Sequence, residues 1–263
     1  MATPVGRRAA GGALGALTGD YPDPGFGLPM SSGYALFDDF IHPFDKHGND
    51  LAGDMQWQHV DIGAQSNQSD VTPSGWTEAG IHRLLTAQQA GAGVILYQSQ
   101  DDTFYRYPSP GAIWACKIKL DSGLTSYELW SGFASVYSAQ PRVSSNSSFV
   151  GVRALNGNLF GVVKDGATAT NESTVDLGVS CVGAWRSVGF RVEGTTASPS
   201  IQFFVLNEQG SDRAIYDQID VGSAITTNLP TTTMGPIALG IVGPTVQVGA
   251  EIDWWCLGGR VAR

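Results

Sequence analysis

The residues best suited to chemistry in this sequence are two acids near its end, in the run Glu251-Ile252-Asp253-Trp254-Trp255-Cys256. Side chains two positions apart lie on one face of a β-strand, so Glu251 and Asp253 would face the same way. Carboxylates arranged in this way can hydrolyse a glycosidic bond, provided that an acid donates a proton to the leaving oxygen. No further acid follows Asp253 in this run to serve as that donor. We therefore interpret the pair as a feature of a closing strand and predict no catalytic residues.

A second acid-rich run, between residues 38 and 54, carries the oxygen ligands that Ca²⁺ prefers. Its centre, Asp45-Lys46-His47-Gly48-Asn49-Asp50, departs from a calcium-binding loop because His47 occupies the third ligand position. We interpret the run as a solvated turn, leave calcium binding open and predict no cofactor. The run comprises Asp38, Asp39, His42, Asp45, His47, Asn49, Asp50 and Asp54.

Nucleophilic and phosphate chemistry lack a motif here. The sequence contains no G-x-S-x-G elbow, its four histidines all lie in the first third, and no Gly-rich loop precedes a helical pattern. The cysteines Cys116, Cys181 and Cys256 lie in apolar runs without C-x-x-C spacing. Such cysteines are typical of buried free thiols and of folding in a reducing compartment.

One aromatic cluster could form a contact surface. Phe104, Tyr105, Arg106 and Tyr107 follow each other directly, close to two aspartates. Aromatic rings of this kind stack on sugar rings in glycan sites, and they are equally suited to a core edge or a subunit contact. We favour the core edge or subunit contact and leave the glycan site open.

Composition narrows the classes of partner. The chain has 263 residues, with Lys plus Arg 15 against Asp plus Glu 24, a net charge of −9 and 34 glycines. An acidic chain without a basic stripe is a poor match for nucleic acid. No run approaches the length of apolar sequence that spans a membrane. A hydrophobic fraction of 42% is enough for a substantial core, whereas the charged fraction is only 15%.

The chain divides into two parts of different composition. Residues 1–35 are rich in Gly, Ala and Pro and show no periodic pattern, which predicts an extended N-terminal arm. The arm is held either by a neighbouring subunit or by folding back on its own domain. Residues 36–263 show the turn and strand pattern of one β domain. The arm contacts that we predict are Arg7, Arg8, Tyr21 and Phe26.

The second part reads as an all-β sandwich of two antiparallel sheets. Strand signals recur at the spacing expected for sandwiches, and only Leu84 to Ala90 suggests a short helix. The candidate strands are residues 34–40, 56–62, 79–87, 93–99, 112–120, 126–137, 148–154, 158–164, 173–177, 184–193, 200–207, 213–219, 236–242 and 246–261.

Three of these strands alternate, so each should turn one apolar face to the core. The predicted core-facing sets are Trp114, Cys116, Ile118 and Leu120 in 112–120, Val188, Phe190 and Val192 in 184–193, and Val246, Val248, Ala250, Ile252, Trp254 and Cys256 in 246–256. The residues that point the other way are Lys117 and Lys119 in the first strand, Arg191 and Glu193 in the second, and Gln247, Glu251 and Asp253 in the third.

The pattern resembles the concanavalin-like (lectin/glucanase) jelly roll of tailed-bacteriophage virion proteins. The resemblance covers roughly residues 34–263 and implies that the first and last strands lie near one another. It also implies a comparison with the E-x-D-x-x-E strand of jelly-roll β-glucanases, of which Glu251 and Asp253 match the first two acids. The third acid of that pattern is missing, and Trp255 or Cys256 occupies its neighbourhood. The segments that carry it are Phe37-Asp38-Asp39-Phe40, Trp57, Trp114 to Leu120, Trp130-Ser131-Gly132-Phe133 and Ile252-Asp253-Trp254-Trp255 with Gly259-Arg260.

The resemblance implies a function in a particle rather than in catalysis. The expectation is a non-enzymatic virion structural protein, most simply a capsid decoration or cement protein, assembled in host cytoplasm. Its partners would be the major capsid protein or other virion subunits, and it would form a homotrimer. A glycan-binding tail or fibre module is the alternative, and a glycoside hydrolase-like jelly roll is a weaker one.

Overall fold

The structure, a computed structural model, consists of β-strands wherever it describes regular elements. The described residues are 33–38, 40, 51–52, 57–62, 71–73, 81–86, 88, 90–98, 110–121, 127–135, 147–166, 171–208, 216–243 and 246–260. The strands are β1 (Gly33–Asp38), β2 (Leu51–Ala52), β3 (Trp57–Ile62), β4 (Val71–Pro73), β5 (His82–Leu85), β6 (Gly93–Tyr97), β7 (Ile113–Leu120), β8 (Glu128–Ala134), β9 (Phe149–Leu155), β10 (Asn158–Lys164), β11 (Glu172–Ser180), β12 (Arg186–Thr195), β13 (Ser198–Glu208), β14 (Tyr216–Ile225), β15 (Gly235–Val242) and β16 (Gly249–Arg260).

These strands form two antiparallel sheets. In sheet A the order is β14-β13-β12-β7-β16-β5-β4, and β1 also pairs with β16. In sheet B the order is β11-β10-β9-β8-β15-β6-β3-β2. The long strand β16 pairs with β7 on one side, and on its other side with β5 through its first residues and with β1 through its last. The two sheets therefore make the predicted all-β sandwich.

The sequence predicted the strands well. Each of the fourteen candidate strands corresponds to an observed one, and β2 and β4 are two short additions. The predicted short helix at residues 84–90 is wrong, because Leu84 and Leu85 belong to β5, where they pair with β16. The Asn156-Gly157 turn joins β9 to β10 with φ of 50° and 87°, the left-handed pair that a tight hairpin requires.

The first and last strands pair as the resemblance implied. Phe37 stands opposite Cys256, and Asp38 stands opposite Trp255. The pairing begins at Gly33, which stands opposite Arg260, so β1 includes the last three residues of the predicted arm. Residues 1–32 lie outside the described residues.

The core lies between the sheets and is built around aromatic rings. Trp255 of β16 meets Trp57 of β3 edge-on, with 5.1 Å between ring centroids, and Trp114 packs against Phe190 at 5.2 Å. The predicted core-facing sets of β7 and β12 are confirmed, because all seven of their side chains are in this cluster. Burial of such large apolar side chains supplies most of the stabilisation of the sandwich.

The alternation predicted for β16 holds only for its first part. Val248, Ala250 and Ile252 face the core, but a register shift between Ile252 and Trp254 inserts a bulge. A bulge adds one residue to a strand, so every side chain after it changes face. Trp255 and Leu257 consequently enter the core, and the prediction that Trp254 and Cys256 face it is wrong. Val246, also predicted to face the core, precedes the strand and is 52% exposed.

Candidate functional site

The outer face of sheet A carries the two acids singled out in the sequence. We call this region the acid face and define it as Arg83, Lys117, Lys119, Trp185, Glu251 and Asp253. Glu251 of β16 stands between Arg83 of β5 and Lys119 of β7 in one row across the sheet. Residues that stand directly opposite each other share a face of the sheet. The alternation of β7 and β16 therefore brings acidic and cationic side chains together.

Both acids are held in ion pairs. The Lys119 Nζ atom donates to Glu251 Oε2 at 2.9 Å, and Arg83 Nε lies 3.8 Å from Glu251 Oε1. The Lys117 Nζ atom lies 3.0 Å from Asp253 Oδ2. Glu251 is only 6% exposed, so its carboxylate has lost most of its hydration. The ion pairs with its cationic partners compensate for that loss.

The lysines also contact an aromatic ring. Lys117 Nζ and Lys119 Nζ lie 5.8 Å and 5.5 Å from the centroid of the Trp185 ring. Cations at this range are attracted to the face of an indole. Trp185 precedes β12, and sequence reasoning missed it because its position depends on the turn between β11 and β12. The acid face is therefore a network of ion pairs whose two lysines also contact the half-buried Trp185 ring.

The position of a third acid is occupied by a thiol. Because of the β16 bulge, Cys256 lies on the same face of sheet A as Glu251, five residues further along, where the E-x-D-x-x-E pattern would place its last glutamate. Cys256 is 4% exposed, and burial raises the pKa of its thiol well above the usual 9. A thiol of this kind does not donate a proton at neutral pH.

Cys256 belongs to an apolar cluster on the outer face beside the acids. Its buried members are Ala115, Phe204, Leu206, Trp254 and Cys256. Gly189 lies between Ala115 and Phe204 in the register, and a Cβ there would lie 2.7 Å from the Phe204 ring and 2.9 Å from Ala115 Cβ. Glycine at this position therefore leaves the space that the Phe204 ring occupies. The unbroken apolar run Phe203 to Leu206 was the sequence signal for a strand buried on both faces.

The three thiols should be unreactive in the native protein. Burial raises the pKa of Cys116 to about 12 and that of Cys181 to about 11, and Cys256 follows the same direction. We expect no reaction with a disulfide reagent at mildly alkaline pH, and three equivalents after unfolding in guanidinium. Titration of thiols by absorbance measures both. A thiol that reacts rapidly in the folded chain would contradict the burial of that side chain.

Several predicted site residues fall outside the described residues. They are Phe104, Tyr105, Arg106 and Tyr107, the arm residues Arg7, Arg8, Tyr21 and Phe26, and most of the acid-rich run, namely Asp39, His42, Asp45, His47, Asn49, Asp50 and Asp54.

Two further features are absent from the described part of the chain. No group of three or more His, Cys, Asp or Glu side chains there is placed to hold a metal ion. The same part contains no helix with the length and apolar composition needed to cross a membrane.

Comparison with known proteins gives likeness in structure only. No protein-family model matches the sequence, and no curated protein matches it. The fold resembles a protein of unknown function from Shewanella oneidensis MR-1 with a TM-score of 0.55, at 15% identity over 88% of this chain and 89% of that chain. It also resembles a glycosidic hydrolase with a TM-score of 0.51, at 15% identity over 88% of this chain and 97% of that chain.

A further similar structure is an immunostimulatory antigen and pseudo beta-1,3-glucanase of Mycobacterium tuberculosis. Its TM-score is 0.51, at 12% identity over 86% of this chain and 98% of that chain. Identities this low show the fold alone. The chain is a concanavalin-like jelly-roll sandwich, as predicted.

Proposed function

We propose that this chain is a non-enzymatic structural protein of a tailed-phage particle. In this proposal it is a decoration or cement protein that attaches to the major capsid protein through its N-terminal arm. The jelly roll acts as a rigid block, and the arm adds contact area where it lies across neighbouring subunits.

The acid face is the observation that supports a non-enzymatic function in this proposal. Retaining hydrolysis needs a carboxylate that is free to attack and an acid beside it that gives up a proton. Here Glu251 is paired with Lys119 at 2.9 Å, Asp253 is paired with Lys117 at 3.0 Å, and the thiol of Cys256 stands in the position of the donor. Acids fixed by cations stabilise a sheet surface, so this arrangement fits a structural role.

The composition of the arm supports the proposal that the chain is part of a particle. Its 32 residues before β1 carry four charges, Arg7, Arg8, Asp20 and Asp23, and otherwise mainly Gly, Ala, Pro and apolar side chains. Such a segment cannot form a core of its own, yet it is attached to a strand that is hydrogen-bonded to β16. An anchored block with a long apolar-rich tail is suited to joining subunits. The three unpaired cysteines agree with assembly in host cytoplasm.

Deletion of residues 1–32 tests this proposal. Because β1 begins at Gly33, this truncation keeps every strand of the sandwich. We expect a folded protein with an unchanged unfolding transition that no longer joins the particle. Sedimentation of particles assembled with the full or the truncated chain measures incorporation. Equal incorporation of the two chains would contradict attachment through the arm.

The two alternatives appear as distinct outcomes. A glycan-binding tail or fibre module would bind sugars on an array and would lose that binding in Tyr105→Ala. A hydrolase would release sugar from a β-glucan and would lose that activity in Glu251→Gln. Either result would replace the structural proposal.

A further inference from the structure

The edge of sheet A at β14 is open along one half of its length. Among the described residues β14 pairs only with β13, so alternate N–H and C=O groups of β14 point away from the sheet. Ile219 on this edge is 51% exposed, although it stands opposite Val205, which packs against the core. The apolar side of the edge is therefore only partly covered.

The other half of β14 is protected in three ways. A register irregularity places Gly222 to Ala224 opposite the single residue Gln202, whose amide donates to Val221 O at 3.1 Å. The strand β11 of sheet B covers this end, because Val175 packs where a Cβ on Gly222 would lie. Asn228 Nδ2 donates to Ser173 Oγ of β11 at 2.9 Å. Within the part of the chain that the structure describes, Tyr216 to Val221 thus forms a regular edge without a further strand beside it, about 20 Å long.

We propose that residues 1–32 of one copy of this chain add a strand to the Tyr216–Val221 edge of a second copy. The strand completes the hydrogen bonds of β14 and covers Ile219. This inference rests on the proposed function, in which the arm lies across neighbouring subunits. It names a second copy of this chain as one of those subunits, beside the major capsid protein, and the β14 edge as the surface that receives part of the arm.

Charge supports this choice of occupant. The strands β11 and β14 contain Glu172, Asp176, Asp217 and Asp220 and no lysine or arginine. The first eighteen residues of the chain contain Arg7 and Arg8 and no acid. Arg153 pairs with Glu172 and Arg191 pairs with Asp220, so the negative charge that remains on these two strands comes from Asp176 and Asp217. That charge is opposite in sign to the early part of the arm, which favours encounter.

The topology makes the contact head-to-tail. The arm leaves from β1, on the far side of β16, whereas β14 is the opposite edge of sheet A, five strand spacings or about 24 Å away. Donor and acceptor are thus different surfaces of one copy, and such contacts close into a ring when repeated by rotation. An extended arm of 32 residues reaches about 100 Å, which is ample for a neighbour in a ring of three.

Light scattering on purified full-length chains tests this inference. We expect the wild type to have three times the 27.7 kDa mass of one chain at micromolar concentration. Ile219→Lys should reduce the mass to that of one chain, because a charge would replace the apolar contact on the edge. Val246→Lys is the matched control, since Val246 is 52% exposed but lies outside the strands, and it should remain trimeric. Arg7→Glu with Arg8→Glu should weaken association at least tenfold at low salt.

Three results would overturn the inference: a wild-type mass of one chain, an Ile219→Lys mass equal to that of the wild type, or an oligomer that survives deletion of residues 1–32. Circular dichroism melting of each variant separates loss of association from loss of folding. The proposed function is judged separately, by incorporation into particles. A chain that is monomeric in solution but joins particles through its arm would contradict the β14 inference and would still support the proposed function.

Discussion

Replacement of Trp255 by alanine is expected to lower the free energy of unfolding by about 4 kcal/mol. Trp255 is fully buried between the sheets, where its ring meets Trp57 at 5.1 Å and Phe133 at 6.0 Å. Truncation of Trp255 removes an indole, the largest type of apolar side chain. It leaves a cavity that the two aromatic neighbours cannot fill, because each is fixed on another strand. Urea denaturation followed by fluorescence measures the loss.

The adjacent Trp254 provides the comparison. It lies on the outer face of sheet A in the smaller cluster with Phe204, Leu206 and Cys256 and retains 8% exposure. Trp254→Ala should therefore cost clearly less than Trp255→Ala. Unbroken alternation along β16 predicts the opposite order, so a larger loss for Trp254→Ala would place the bulge elsewhere in the strand.

Removal of the Glu172 carboxylate should be the second most damaging change. Arg153 of β9 donates two hydrogen bonds to Glu172 of β11, at 2.8 Å and 3.2 Å, and the side chains are only 10% and 9% exposed. Glu172→Ala leaves the guanidinium largely buried without its partner, which costs about 3–5 kcal/mol. Lys164 stands opposite Glu172, and its pKa is lowered by burial while Glu172 opposes that shift, so the variant also removes a carboxylate that favours the charged form of Lys164.

An exposed pair in the same sandwich controls for this prediction. Arg191 contacts both carboxylate oxygens of Asp220, but Asp220 is 47% exposed. Asp220→Asn should cost less than about 1 kcal/mol, because water screens the pair and replaces it on loss. The double variant Arg153→Met with Glu172→Leu should recover most of the stability lost in Glu172→Ala. Equal losses in Glu172→Ala and Asp220→Asn would show that the Arg153 pair is solvated.

The sequence alone determined the class of fold and most of its strands. Period-two patterns in β7 and β12 assigned the faces of Trp114, Cys116, Val188 and Phe190 correctly, because a residue's face in a regular strand depends only on its position. The turn at Asn156-Gly157 was also readable, because few residues adopt positive φ at low cost. The pairing of β1 with β16 followed from resemblance rather than from the pattern.

Only the tertiary structure decided what the acids near the chain end do. The sequence showed Glu251 and Asp253 with a missing third acid, but Lys119, Lys117 and Arg83 lie more than a hundred residues earlier and meet them only across the sheet. The bulge that brings Cys256 to the same face is equally hidden. It depends on how β16 pairs with β7, and the residues of a bulge carry no marker in the strand's own pattern. Local periodicity thus fixes which residues form strands, whereas register between distant strands fixes which side chains meet.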